Sequence, residues 1–340
     1  MRAVVQDRYG PPDEVLTVRD VAVPPVRDDE VLVRVRAASV HVDVWHVVTG
    51  RPYVLRLMGN GLRKPRHIIP GTDLAGTIEA VGRDVTRFKA GDEVFGDSLR
   101  AMAWRNGGTF AEYAAVPEDV LALKPHRTSF EQAAAVPAAG WIALMNLRGG
   151  LKPLEPGLRV LINGAGGSVG SLAVQIAKAD GARVTGVDRA ARLAMIRSLG
   201  ADAVVDYTTE NVLDRGERYD LILDVASTLT LDASKRALAP DGVYVLIGHD
   251  HFGRAAGRVF GSIPRFFGLA ARSPFERHLR PLRFRIPAKR EIIGVLQPLL
   301  ESGALTPIVA RTFPLSEVRA AMRCLQDGSL AGRIVITPDA

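Results

Sequence analysis

The sequence predicts an α/β chain in which a doubly wound parallel sheet is joined to a β-rich unit. Three observations predict it. From residue 159 onward, short apolar strands alternate with helical stretches, the order that builds a parallel sheet. The first of those strands runs through a glycine-rich turn into a helix. Residues 1–125 instead alternate apolar and polar side chains and are cut repeatedly by Gly and Pro. At 340 residues the chain is long enough that two domains are expected.

The β-rich unit is read from "EVLVRVRAASV" (30–40), which alternates at period two, and from "AGTIEAVG" (75–82), which does so more weakly. Turns fall at "YGPP", "VPPV", "PGTD" and "KAGDEVFGD", so a compact barrel with long loops is expected. "SFEQAAAVPAAGWIALMNL" (129–147) then reads as a helical run broken by Pro137 and Gly140. Ser129 is its expected N-cap, with Glu131 and Gln132 in the first turn. Strand and helix alternate after it: "RVLING", "SVGSLAVQIAKADG", "RVTGVD", "AARLAMIRSLG", "AVVDY", "YDLILDVAS" and "VYVLIGHD". The last fifty or so residues give helix, strand, helix and a closing strand, "GRIVITP", expected to rejoin the first unit.

The glycine-rich turn carries the chemistry. "VLINGAGGSVGSLAVQIAK" (160–178) places Ala165, Gly167 and Gly170 at the spacing of a dinucleotide fingerprint, with Gly164 and Gly166 between strand and turn. Small residues at Ala165, Gly166 and Gly167 let the backbone approach a pyrophosphate. The helix starting near Ser168 and Val169 aims free N–H groups and a partial positive charge at it, and Gly170 lets that helix pack on the strand. The next strand ends at Asp188, 18 residues beyond Gly170. An acid there suits the ribose diol of NAD and repels the 2′-phosphate of NADP. Arg189 and Arg192 follow and are able to pair with a 2′-phosphate, so NAD is favoured only slightly.

Composition narrows the rest. The chain is 47% hydrophobic and 24% charged, as soluble globular proteins are. Its net charge of +7 comes from 37 Arg and 7 Lys spread along the chain. With only 6% aromatic residues there is no stacking platform, and nucleic acid is not an expected partner. The single cysteine, Cys324, excludes a disulfide framework. "MRAVVQDRYGPP" lacks a signal-peptide core and no apolar run is long enough to span a bilayer, so a cytoplasmic protein is expected. Residues 254–290 hold nine Arg and one Lys against the single acid Glu276, around "FFGLAA". A lid or dimer contact is the favoured reading of that segment, beside a peripheral membrane patch or a solvated loop.

"EVLVRVRAASV", "PGTDLAGTIEAVG", "FKAGDEVFG", "GTFAEYAAVP", "EQAAAVP", "NGAGGSVGSLAVQIAK", "SLGADAVVDY", "YDLILDVAS" and "GRIVIT" occur in this order. Together they make the chain resemble the medium-chain dehydrogenase/reductase superfamily over nearly its full length, and within it the zinc-independent quinone oxidoreductase-like branch and NAD(P)-dependent alcohol dehydrogenase-like members. The resemblance implies a GroES-like catalytic domain from residues 1–125 and 267–340, with a Rossmann dinucleotide-binding domain at 126–266. It also implies a homodimer. Tyr207 and Arg192 fall where NADPH-using quinone reductases place residues near the adenosine phosphate, while Asp188 stands where they have a small residue. Val225 is expected under the nicotinamide, Gly248 and His249, after the sixth strand, beside it, and Arg333 near the cofactor from the last segment.

"VHVDVWH" (40–46) looks like a metal site, since His41, Asp43 and His46 are all ligand types. Zinc-dependent relatives, however, place a Cys before an Asp here, use Gly-His-Glu where this chain has Gly71-Thr72-Asp73, and carry a further Cys near the domain junction. No Cys precedes residue 324, so no metal is expected. Zinc-free relatives carry Asn-Pro-Val-Asp-Trp. Here His41 replaces the Asn, Asp43 lies one position before the usual Asp and Trp45 is kept. Without a Lewis acid, hydrogen-bond donors must steady the charge on the substrate oxygen. That favours conjugated acceptors, and with them a zinc-independent NAD(P)H-dependent reductase of quinones or α,β-unsaturated carbonyls. The alternatives are an alcohol or aldehyde dehydrogenase and a nucleotide-binding protein with little turnover. His41 is the candidate proton donor or relay, against a buried structural histidine. Trp45 is a wall for a flat substrate or else core. His46 is expected at the surface if the stretch is extended.

Overall fold

The computed structural model describes residues 1–58, 60–100, 104–248, 259–280 and 287–339. His249, expected beside the cofactor, lies outside them. The β-rich unit opens with β1 (Arg2–Gln6) and β2 (Leu16–Asp20), an antiparallel pair. β3 (Glu30–Val40) follows, then β4 (Asp73–Val81), β5 (Glu93–Asp97), β6 (Tyr113–Pro117) and β7 (Leu121–Leu123). Five strands then belong to the second unit: β8 (Arg159–Asn163), β9 (Arg183–Asp188), β10 (Ala203–Asp206), β11 (Tyr219–Asp224) and β12 (Leu238–Leu246). β13 (Val309–Pro314) and β14 (Arg333–Thr337) close the chain.

β13, β14, β3, β4, β5 and β7 form one sheet in that order, with β6 also on β3. β14 runs antiparallel to β3, with Ile334 opposite Val40, so the last strand does rejoin the first unit. The period-two pattern of β3 serves this arrangement: Val31, Val33 and Val35 are buried while Arg34 and Arg36 face out.

The second sheet is parallel throughout, in the order β10-β9-β8-β11-β12. Among the described residues it has five strands, so Gly248 follows the fifth rather than a sixth. The connections reverse direction beside β8. This switch point lies where β8 and β11 end, and a crevice for ligand opens there in such sheets. The helix Ser168–Ala179 follows β8 and Ala190–Ser198 follows β9.

The run 129–147 is two helices, Phe130–Ala134 and Pro137–Arg148. Ser129 and Gln132 form the capping box at the first. Pro137 breaks the run by starting the second helix, but Gly140 does not break it. A Cβ on Gly140 would come within 2.8 Å of Leu296, so glycine there lets the helix Lys289–Glu301 pack closely.

The largest apolar cluster spans both units, joining Ala37, Ala75, Phe95 and Val335 to Leu144, Ile162, Leu172 and Leu296. A boundary at 266/267 falls inside the helix Ile263–Arg272, whose Phe266 and Leu269 pack against the second unit. Several arginines of that basic stretch fasten it there. Arg265 donates to Ser227 O at 2.8 Å, Arg272 pairs with Asp232 at 2.9 Å, and Arg280 caps the helix Pro137–Arg148 through Asn146 O and Leu147 O. No described helix is long and apolar enough to cross a membrane.

Candidate functional site

The turn after β8 has the geometry of a pyrophosphate cradle. Gly164 adopts φ +87°, which favours glycine, and a Cβ on Gly170 would lie 2.1 Å from Gly164 O. By contrast, a Cβ on Gly167 would meet nothing nearer than 3.5 Å. Gly167 is the N-cap of Ser168–Ala179, with no side-chain cap and no acid in the first turn. The helix terminus is therefore left for an anion. Ala165 is fully buried, whereas Ser168 and Val169 are half-buried at the helix start.

Asp188, at the end of β9, lies beside the turn. Its carboxylate accepts from Gly166 N–H at 2.8 Å and from Arg189 N–H at 2.9 Å, and Arg192 Nη1 lies 3.4 Å away. Tyr207 donates its N–H to Asp188 O at 3.2 Å and leaves its side chain 60% exposed. These are the four residues expected around the adenosine ribose, and they lie together. At the other end, Val225 donates its N–H to Asn163 O at 2.9 Å, and a Cβ on Gly248 would lie 2.0 Å from Val225 O. Only glycine allows that approach. Val225 and Gly248 thus stand side by side just beyond β11 and β12.

Arg333 links this cradle to the β-rich unit. It is buried, with Nη1 3.4 Å from Ser168 Oγ and Nη2 3.3 Å from Asp73 Oδ2. Among the described residues its Nε has no hydrogen-bond partner. Burial pulls the guanidinium pKa down, while Asp73 and Asp43 pull it up. Asp73 is fully buried and also accepts from Ser39 Oγ at 2.7 Å and Ala138 N–H at 3.2 Å. Beside it across the β4–β5 pair, Asp97 is pushed up by burial, against the ammonium of Lys289 bonded to it.

Thr72, next to Asp73, meets His41: its Oγ1 lies 3.1 Å from His41 Nε2. His41 is buried at the N-cap position of the helix Val42–Thr49, directly after β3, although its side chain makes no cap bond. Asp43 Oδ2 lies 3.6 Å from His41 Nδ1. A line of polar groups therefore runs from Ser168 through Arg333 and Asp73 to Thr72 and His41. Sequence reading did not find Thr72, Asp73 or Ser39 as site residues. The available signal was that Thr72 stands where zinc-dependent relatives have histidine.

Two expectations for 40–46 change. From Val42 the stretch is helical, not extended, because Val44, Val47 and Val48 fall on one buried stripe and Gly50 at φ +60° caps the helix end. His46 is therefore buried rather than at the surface. Its Nδ1 lies 2.6 Å from Arg51 O, and its ring stands edge-on to Trp45 and Trp104. Trp45 belongs to the apolar cluster of the β-rich unit. Among the described residues no group of three or more His, Cys, Asp or Glu is placed to hold a metal ion.

Comparison with known proteins matches this geometry. Residues 27–126 match the family described as alcohol dehydrogenase GroES-like domain, and residues 199–336 match zinc-binding dehydrogenase. The chain is 32% identical to an NADPH-dependent alkenal/one oxidoreductase of Arabidopsis thaliana, over 99% of this chain and 80% of that one. This chain belongs to the medium-chain dehydrogenase/reductase superfamily. As a member it is an oxidoreductase. Among solved members of comparable fold, the quinone oxidoreductase from Coxiella burnetii superposes with a TM-score of 0.79 at 27% identity, covering 100% of this chain and 99% of that one. An NAD-dependent alcohol dehydrogenase superposes at 0.81 and 29% identity, with both chains fully covered.

Proposed function

We propose that this superfamily member is a zinc-independent NAD(P)H-dependent reductase acting on quinones or α,β-unsaturated carbonyls. The observation that carries the reading is the His41–Thr72 pair, held beside the cradle by Asp73 and Arg333. A bound nicotinamide supplies hydride. The chain's own residues must then steady negative charge on the substrate oxygen and deliver a proton. Thr72 Oγ–H donates to that oxygen. His41 stands behind it as the proton reservoir, and Asp43 faces the other ring nitrogen. Neutral donors suffice where the acceptor is conjugated, because its charge is spread over several atoms.

The absence of thiolates before Cys324 and the hydroxyl at Thr72 support a reaction without zinc. For the cofactor, Asp188 supports NAD(H) and Arg192 with Tyr207 supports NADP(H), with NAD(H) slightly favoured. A homodimer fits the exposure of two large apolar side chains, Phe267 and Phe275, at 69% and 92%.

The test is oxidation of NADH and NADPH against a panel of quinones, enones and aldehydes, with metal analysis of the purified protein. Turnover of enones or quinones without bound metal is expected. Turnover confined to alcohols and aldehydes instead favours the second reading, suggested by the likeness to the alcohol dehydrogenase. No oxidation across the panel, or activity lost with a stoichiometric zinc, overturns the proposal.

A further inference from the structure

The two arginines able to take a 2′-phosphate each already commit their Nη2 group to carbonyls of the other unit. Arg189 Nη2 donates to Gly328 O at 3.0 Å and to Ser329 O at 2.6 Å. Arg192 Nη2 donates to Gly328 O and Leu330 O, both at 2.6 Å. These carbonyls follow the helix Val318–Asp327, at the start of the segment that leads into β14. The far end of the same segment is pinned to the cradle, where Gly332 N–H donates to Gly166 O at 3.1 Å and Gly332 pairs with Gly167. The segment 328–332 thus lies along the glycine-rich turn, from the adenosine end to the helix terminus.

The two ends differ in what a ligand would disturb. A ribose diol needs only the Asp188 carboxylate, which the segment does not touch. A 2′-phosphate needs guanidinium donors, and the Nη2 groups of both arginines are bound to the carbonyls, while Arg192 Nη1 lies 3.4 Å from the Asp188 carboxylate. A phosphate is an ionised acceptor that an arginine can grip through two parallel bonds, whereas the carbonyls are neutral, so a phosphate placed there competes for both arginines.

We propose that Arg189, Arg192 and the carbonyls of Gly328, Ser329 and Leu330 form a latch that determines cofactor choice. NAD(H) binds with the latch closed. NADP(H) must draw both guanidiniums onto its 2′-phosphate, which frees the carbonyls and loosens the segment. Part of the 2′-phosphate's binding energy is thereby spent on opening the latch, so discrimination resides in the C-terminal segment as well as in Asp188. The proposal rests on reading the glycine-rich turn as a dinucleotide site.

Hydrogen exchange on the full chain tests it without turnover. NAD⁺ and NADP⁺ are each added at concentrations that protect residues 164–170. Exchange in 328–332 is expected to stay slow with NAD⁺ and to quicken roughly fivefold with NADP⁺, as local opening predicts. Without ligand, Arg189→Gln is expected to speed exchange there by a similar factor. An equal response of 328–332 to both nucleotides, with the turn protected by both, overturns the latch alone. So does a variant whose segment exchanges as the parent does. A turn that NADP⁺ cannot protect overturns the exchange of partners. A turn that neither nucleotide protects overturns the dinucleotide reading, and the latch with it.

Discussion

His41 Nε2 stands 3.1 Å from Thr72 Oγ1, bringing together two residues 31 positions apart. One comes from the end of β3 and the other from the residue before β4, and Asp73 and Ser39 lock those strand ends together. If Thr72 donates to the substrate oxygen and His41 resupplies it, Thr72→Val lowers kcat by about a hundredfold, the scale of a lost general acid. His41→Asn lowers it by a smaller factor and flattens the pH profile of kcat. Cofactor affinity, measured by nucleotide fluorescence, stays within about twofold for both, since neither residue touches the cradle. A His41→Asn enzyme with the parent rate and pH profile makes this histidine wall rather than machinery.

Asp188→Ser removes the charge that repels a 2′-phosphate and releases Arg192 from its carboxylate partner. The ratio of NADPH to NADH efficiency is expected to rise at least about tenfold, equivalent to 1.4 kcal/mol. Thermal stability falls slightly, because Gly166 N–H and Arg189 N–H lose their acceptor. An unchanged ratio of kcat/KM values means that another residue selects the cofactor.

The cradle is legible in the sequence because its chemistry is local. Ala165 to Gly170 lie in one turn, and Asp188 follows at the end of the next strand. The polar line from Ser168 to His41 is not local. Arg333 meets Asp73 across 260 residues, and nothing in "GRIVIT" or "PGTD" alone announces that pairing. "VHVDVWH" shows a different difficulty. Its alternation suits a strand, while Val44, Val47 and Val48 also suit a helix, and burial of that stripe decides for the helix. Gly140 resists reading for the same reason, since the helix that needs its missing side chain lies about 150 residues away.

Alkaline stability has a predictable sign. Burial pushes the Tyr219 phenol up to about 12, with the Glu217 carboxylate that accepts its O–H adding to the rise. Between the unfolded value of 10.0 and about 12, the folded state holds a proton that the unfolded state has lost. Stability therefore falls as pH rises through that window, by at most about 3 kcal/mol for this group. Tyr219→Phe has no such proton, so its denaturant midpoint declines less steeply from pH 10 to 12 than the parent's. Parallel midpoint curves overturn this assignment.

Arg148 and Asp180 form a nearly fully buried pair, with side chains 5% and 3% exposed. Two bonds join them, at 2.9 and 2.6 Å, and Asp180 also accepts from Leu154 N–H at 3.0 Å. The pair ties the end of the helix Pro137–Arg148 to the end of Ser168–Ala179, so it braces the helix that presents the cradle. Arg148→Met leaves a buried carboxylate with one remaining donor and is expected to cost about 3 kcal/mol in chemical denaturation. Adding Asp180→Asn removes the stranded charge while keeping an acceptor for Leu154. The double variant is then more stable than Arg148→Met alone, although it carries one more substitution. Simple additivity of the two single costs means that the guanidinium and carboxylate do not depend on each other. The brace is then packing of the Arg148 stem rather than charge.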